Sequence, residues 1–238
     1  MNSGPKIWIT QSLPRARDTA KDYADLGLEP IISPVLQISS VTPTPAPPNK
    51  SDLLIFTSRN GVRAFADICS ERANSVICVG AATAELARSV GFVHVKSAEG
   101  DAQDVVKLVL KTVPRSQTLR HCCGKHVQGG IAEQLSEAGY KIERVIYYEA
   151  YPVGKADVNI ERVDYVALYS PRGASAFIDL LKTKCAAHLT TLSISAATDS
   201  VLEPLGLANR LIAETPDQTA IIKTLRSHFQ TIRKEAQR

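Results

Sequence analysis

Two short turns carry the residue types best suited to holding an anion. The first reads Thr57-Ser58-Arg59-Asn60-Gly61 and the second Tyr169-Ser170-Pro171-Arg172-Gly173. Each sets a hydroxyl donor, a guanidinium fork and a glycine between an apolar run and a helical pattern. A carboxylate or phosphate needs that combination: a donor, a fork and close backbone approach. The plainer reading is that Ser58 and Ser170 cap their helices while the arginines are solvated. It accounts for one such turn more comfortably than for two. A second pair, Gly80-Ala81-Ala82-Thr83 and Ser195-Ala196-Ala197-Thr198, repeats the theme without charge. There Ala82 permits close approach, and Thr83 and Thr198 are equally suited to capping or to ligand contact.

His121-Cys122-Cys123-Gly124-Lys125-His126 has the letters of a metal site. Its spacing fits no structural zinc site, and no second Cys/His pair follows to complete four ligands, so no metal is expected. Gly124 and Lys125 read instead as a further anion-facing turn. Tyr147, Tyr148 and Tyr151 share one extended run, where alternation puts Tyr147 and Tyr151 on one face and Tyr148 on the other. Strand tyrosines are usually packing residues, although a phenol beside a bound ligand could donate a proton. The GxxxxGK[ST], GxGxxG and GxSxG signatures are missing, so nucleotide-dependent and serine-hydrolase readings lose their usual support. A cofactor-free enzyme remains, beside a non-catalytic sensor or binding module closing on a small anion, or a flavodoxin-like flavin binder.

The elements that must position these turns alternate along the chain. Strands are predicted at 6–10, 30–38, 52–57, 75–79 and 93–96, then at 118–122, 142–151, 164–169 and 191–195. Helices are predicted at 15–26, 60–69, 82–90 and 101–113, then at 131–138, 173–181, 198–205 and 217–229, several of them stopped by glycine. The Thr/Pro-rich stretch 42–50 reads as a linker, because proline lacks the donor that a ladder needs. Strand and helix in strict alternation argue a parallel, doubly wound sheet.

The pattern also repeats. FTSRNGVRAFADI (56–68) sets over LYSPRGASAFIDL (168–180), with Ser58, Gly61, Ala64, Phe65 and Asp67 each matched 112 positions later. Gly27 and Gly139 keep that shift. Thr83 with Thr198, Gly91 with Gly206 and Gln103 with Gln218 are shifted by 115. An internal duplication explains both registers with one loop-length difference.

Composition narrows the class. With 238 residues, 44% hydrophobic and 22% charged, the chain has the make-up of a globular protein large enough for two small cores. No apolar run approaches the roughly 20 residues of a membrane span, and the amino terminus lacks a basic-then-apolar signal, so neither membrane nor secretion is expected. Five cysteines in irregular places fit a reducing cytoplasm better than a disulfide framework. The net charge of +4 is dispersed and aromatics are 5%, which suits a small anion better than a nucleic acid.

Several segments taken together resemble one family. They are ITQSLPRARDTAKDYADLGLEPIISPVLQI (9–38), LIFTSRNGVRAF (54–65), ICVGAATAELARSVGF (77–92), YKIERVIYYEAYPV (140–153) and ALYSPRGASAF (167–177). In order and spacing they resemble uroporphyrinogen-III synthase, over essentially the whole chain. The resemblance implies an α/β fold of two similar flavodoxin-like parallel-sheet domains, arisen by internal duplication, with segment swapping. One domain would comprise residues 1–37 plus 152–238 and the other 39–148, with hinge strands at 36–40 and 147–151. It implies a monomeric, cofactor-free enzyme whose substrate, a linear tetrapyrrole polycarboxylate, lies in the cleft between domains. That substrate, hydroxymethylbilane, loses its terminal hydroxyl and closes through a spiro intermediate with the last ring inverted. Tyr148 aligns with the family's proposed acid, and Thr57, Ser58, Thr83, Ser170 and Thr198 with its cleft hydroxyls. The family often has arginine where Gln11 stands, so Arg15 or Arg17 would serve that edge.

Overall fold

The computed structural model describes residues 4–44, 47–127, 129–181 and 186–235. In chain order they form β1 (Lys6–Ile9), α1 (Arg15–Ala24), β2 (Glu29–Ile32), β3 (Leu36–Thr44), β4 (Leu53–Phe56), α2 (Arg59–Ile68), β5 (Val76–Cys78) and α3 (Ala81–Ser89). There follow β6 (Val95–Ser97), α4 (Ala102–Thr112), β7 (Leu119–Gly124), α5 (Ile131–Glu137) and β8 (Ile142–Pro152). The last elements are β9 (Tyr165–Leu168), α6 (Pro171–Leu181), β10 (Thr190–Ser193), α7 (Ala196–Ser200), β11 (Asn209–Ile212) and α8 (Gln218–Glu235).

The chain divides into two compact units, Met1–Gln37 with Tyr151–Arg238, and Ile38–Ala150. The first holds the sheet β11-β10-β9-β1-β2, with every neighbouring pair parallel. Counted along the unit's own strands the order is 2-1-3-4-5, that of flavodoxin-like folds, with its switch point between β1 and β9. The second holds β3-β8-β7-β4-β5-β6. Starting the count at β7, its parallel strands β8-β7-β4-β5-β6 again run 2-1-3-4-5, and β3 is added at the outer edge. The repeat visible in the sequence is thus a repeat of topology, but along the chain the second unit begins at its third strand, β4. The chain leaves the first unit inside β3 and re-enters it inside β8.

Burial on both faces explains why the strands are near-continuous apolar runs. In β1, Trp8 enters one cluster with Val166, Leu168 and Phe177, while Ile7 and Ile9 enter another with Ala167, Leu192, Ile221 and Leu225. In β4, Leu54 and Phe56 face Phe65 and Val145, while Leu53 and Ile55 face Val105 and Leu135. Trp8 meets Phe177 edge-on at 5.4 Å and Phe56 meets Phe65 at 5.6 Å, both favoured aromatic geometries. Gly27 and Gly139 end α1 and α5 with φ of 81° and 86°. In each case the glycine N–H and the next N–H reach back into the last turn, as a Schellman stop requires (Gly27 to Ala24 and Leu28 to Tyr23; Gly139 to Ser136 and Tyr140 to Leu135).

Three expectations need correction. The strand expected over 30–38 is two: β2 ends at Ile32, and after Pro34 the chain starts β3 in the other sheet. The stretch 42–50 does join a ladder at its start, since β3 runs through Pro43 to Thr44. An edge strand tolerates a missing donor on its open side. Residues 45–46 of that stretch lie outside the described residues. The helix expected over 198–205 is α7 followed by a separate 3-10 turn, Glu203–Leu205, where Pro204 interrupts the α-helical ladder.

Candidate functional site

Ligands of open parallel sheets bind beyond the carboxyl ends of the strands, near the switch point. In the unit Ile38–Ala150 that place is where β4 and β7 end, beside Tyr148 of β8. Ser58 caps α2 in extended conformation, and its Oγ accepts the Gly61 N–H at 3.1 Å. The same Oγ lies 3.0 Å from the Tyr148 hydroxyl. Two glycines allow this approach. A Cβ on Gly124 would lie 2.6 Å from Tyr148 Cζ, and one on Gly61 would lie 2.8 Å from the Cys122 carbonyl oxygen. Burial raises the Tyr148 pKa, partly offset by the Ser58 hydrogen bond, so the phenol stays protonated at neutral pH.

A register shift aims Tyr148. Cys123 pairs with Ile146, but Gly124 pairs with Tyr148, which leaves Tyr147 as the extra residue of a bulge. Tyr147 is fully buried with its ring 5.2 Å from Phe65, and Tyr148 packs against the same cluster. The strict alternation expected of Tyr147 and Tyr148 therefore fails at the bulge. Tyr151 is 44% exposed.

Around this pair, Thr57 Oγ1 lies 3.2 Å from His121 Nε2. Burial, then the Arg144 charge, lowers the His121 pKa to about 4, with Glu133 acting the other way, so the imidazole is neutral at neutral pH. Lys125 Nζ pairs with Glu149 at 3.0 Å, and His126 Nε2 lies 3.8 Å from the same carboxylate oxygen. The anion that this loop holds in the structure is therefore its own Glu149. Arg144 donates to the carbonyls of Gly124 and Lys125 and fixes the turn. Arg59 and Asn60 are half-buried in the first turn of α2. One turn further, Arg63 has its pKa lowered by burial and then by the neighbouring Arg59, so two guanidinium groups share this end of the helix. At the adjoining β5 turn, Gly80 caps α3 without a side chain, Ala82 is exposed and Thr83 is buried.

The unit Met1–Gln37 with Tyr151–Arg238 builds its own version. Ser170 Oγ accepts the Gly173 N–H at 3.0 Å. α6 then opens on Pro171, a favoured first position, with Arg172 half-buried behind it. The Tyr169 hydroxyl is 2.7 Å from that of Tyr23 on α1, and burial raises both pKa values. Arg15 lies close enough for its charge to pull the Tyr169 pKa down, whereas Gln11 accepts from Thr19 at 2.9 Å. At the β10 turn the cap is Ser195, which accepts the Thr198 N–H at 3.3 Å. Thr198 is fully buried with its hydroxyl 3.1 Å from Ser195 Oγ. Neither Thr83 nor Thr198 is an N-cap.

The structure thus gathers Thr57, Ser58, Arg59, Asn60, Gly124, Lys125 and Tyr148 at the carboxyl end of one sheet, with Ala82 and Thr83 one strand away. It sets Tyr169, Ser170, Pro171, Arg172, Gly173 and Thr198 at the carboxyl end of the other. Sequence reasoning missed Arg63, Glu149 and the bond from His121 to Thr57. His121 was in view only as a letter of a rejected metal motif. Among the described residues no group of three His, Cys, Asp or Glu is placed to hold a metal ion.

The family model described as uroporphyrinogen-III synthase HemD matches residues 17–223. No curated protein matches the chain. Among solved structures, the chain is similar to the uroporphyrinogen-III synthetase of Helicobacter pylori. That match has a TM-score of 0.68 at 16% identity and covers 94% of this chain and 99% of that one. A mutant uroporphyrinogen III synthase from the extremely thermophilic bacterium Thermus thermophilus aligns at TM-score 0.53 and 16% identity, over 95% of this chain and 99% of that one.

Proposed function

The chain belongs to the uroporphyrinogen-III synthase family, and from that membership we infer that its reaction is the cofactor-free cyclisation of hydroxymethylbilane to uroporphyrinogen III. It is a cyclising hydro-lyase: the terminal hydroxyl leaves, the substituted carbon of the last ring is attacked, and the ring inverts through a spiro intermediate before closure. The observation that carries this reading is the family match, spanning 17–223 of 238 residues.

The chemistry asks for a proton donor to the leaving hydroxyl and for donors to many carboxylates. Tyr148 is the donor in this reading. Ser58 Oγ accepts from Gly61, so its own O–H is available to the Tyr148 oxygen, and that donation eases release of the phenolic proton. Carboxylates are taken by the side chains of Thr57, Arg59 and Asn60, by the backbone N–H groups of Ser58 and Ala82, and by the Gly124-Lys125 turn in one unit. In the other they are taken by Tyr169, Ser170 and Arg172, with Pro171 and Gly173 shaping the turn, since proline has no N–H and the Gly173 N–H is given to Ser170. Backbone N–H groups at the helix starts supply much of this, because first-turn amides have no intrahelical acceptor. Thr83 and Thr198, being buried, act through the backbone of their turns rather than through their hydroxyls. The strands β3 and β8 are the hinge. The protein acts as a monomer in the cytoplasm; among the described residues no helix is long and apolar enough to cross a membrane.

The test is direct. The purified protein is incubated with freshly generated hydroxymethylbilane, and the uroporphyrin isomers are resolved after oxidation. Isomer III above the spontaneous background is expected, and isomer I alone at the spontaneous rate sinks the reading.

A further inference from the structure

We propose that His121 is a positioning residue, whose Nε2–H donates to Thr57 Oγ1 and so turns the Thr57 hydroxyl proton outward to a substrate carboxylate. The proposal rests on the synthase reading and assigns a residue to which the family resemblance gives no role. His121 is 2% exposed on β7, in register with Ile55 of β4, and Thr57 is the first residue after β4. The two side chains are 3.2 Å apart.

The direction of this bond decides what Thr57 can do. A hydroxyl has one proton. If Nε2 accepted it, Thr57 would present only lone pairs to the site, and these repel a carboxylate. If Nε2–H donates, one lone pair is satisfied and the hydroxyl proton is left for the ligand. A neutral imidazole has one N–H, so the tautomer sets the outcome, and burial together with Arg144 keeps this ring neutral.

The duplication supplies an internal control. The position 112 residues before His121 is Ile9, in β1, fully buried; there the fold is served by an apolar side chain. The counterpart of Thr57 is Tyr169, whose hydroxyl is held instead by Tyr23. A buried histidine therefore goes with the threonine rather than with the architecture, since an unpaired polar group in a strand core is costly.

Steady-state isomer III formation is measured for wild type, His121→Ile, Thr57→Val, the double variant and His121→Gln. Losing a neutral hydrogen bond predicts a KM rise of roughly 3- to 10-fold for His121→Ile, with kcat changed less than about twofold. In the Thr57→Val background the same substitution should leave KM unchanged, because there is no hydroxyl left to orient. Glutamine, whose amide nitrogen reaches the place of Nε2, should restore the wild-type KM. Additive KM effects, an unchanged KM in His121→Ile, or a folded glutamine variant without rescue would each overturn the proposal. Should the isoleucine variant not fold, His121→Asn replaces it: its nitrogen stands in for Nδ1 and falls short of Thr57, so the same KM rise is expected and its absence is decisive. Wild type giving only isomer I defeats the synthase reading itself, whereas isomer III with additive variants defeats only the role of His121.

Discussion

Tyr148 and Gly124 divide the work at the residue scale. The phenol needs a neighbour without a side chain, since an added Cβ on Gly124 would sit 2.6 Å from the ring, inside van der Waals contact. Tyr148→Phe removes one hydroxyl and its Ser58 bond while keeping the ring. It should lower isomer III formation about 10- to 100-fold, the worth of one hydrogen bond to a developing charge, with stability changed by less than about 1 kcal/mol. Gly124→Ala keeps the phenol but displaces the ring, and should cost about 1–3 kcal/mol of stability as well as activity. Isomer assays beside urea unfolding of the two variants separate the effects. Full activity in Tyr148→Phe would remove the phenol from the mechanism.

At the scale of elements, the helices are held by what starts and stops them. Ser58, Ser170 and Ser195 each accept an N–H from the first turn, and Asp101 forms a reciprocal capping box with Asp104. At the other end, Gly27 takes φ of 81° with nothing within 4 Å of an added Cβ, so any penalty there is purely conformational. Gly27→Ala should therefore destabilise by about 1–2 kcal/mol, and Gly27→Asn by clearly less, because asparagine tolerates the left-handed region. Gly80 makes the contrast: it is extended, with φ of −154° and open space around it, so Gly80→Ala carries no such backbone penalty. Thermal melts of the three variants check the order. Equal losses for alanine and asparagine at position 27 would show that something other than φ is at stake.

For the whole molecule, chain order and spatial order part company. Every buried member of the two core clusters around β4 lies between Leu53 and Tyr147. The clusters around β1 join Trp8, Ile7, Ile9 and Val35 to residues from Ile160 onward. A fragment of residues 36–152 should accordingly fold alone, with a cooperative melt and dispersed amide resonances. Residues 1–37 alone should remain unfolded, because β1 would lack β9 and the apolar faces that cover it. A fragment 36–152 that stays unstructured would mean that the second unit depends on the first.

Much of this was legible in the residues alone. The alternation of elements could be read because strands buried on both faces are written as apolar runs, and because glycine at a positive φ marks where a helix stops. The repeat could be read because both halves of the chain keep the same turn, Ser58 to Gly61 and Ser170 to Gly173. The family resemblance rests on the order of five segments. What the tertiary structure alone decided is which strand lies beside which. It divided 30–38 between two sheets, gave Pro43 an edge where a missing donor does no harm, and set Tyr148 against Ser58 through a bulge at Gly124. It also joined Thr57 to His121 across 64 positions and Tyr23 to Tyr169 across 146. Periodicity encodes only what neighbours along the chain do. Register, and the side chains that register brings together, depend on partners that no local pattern names.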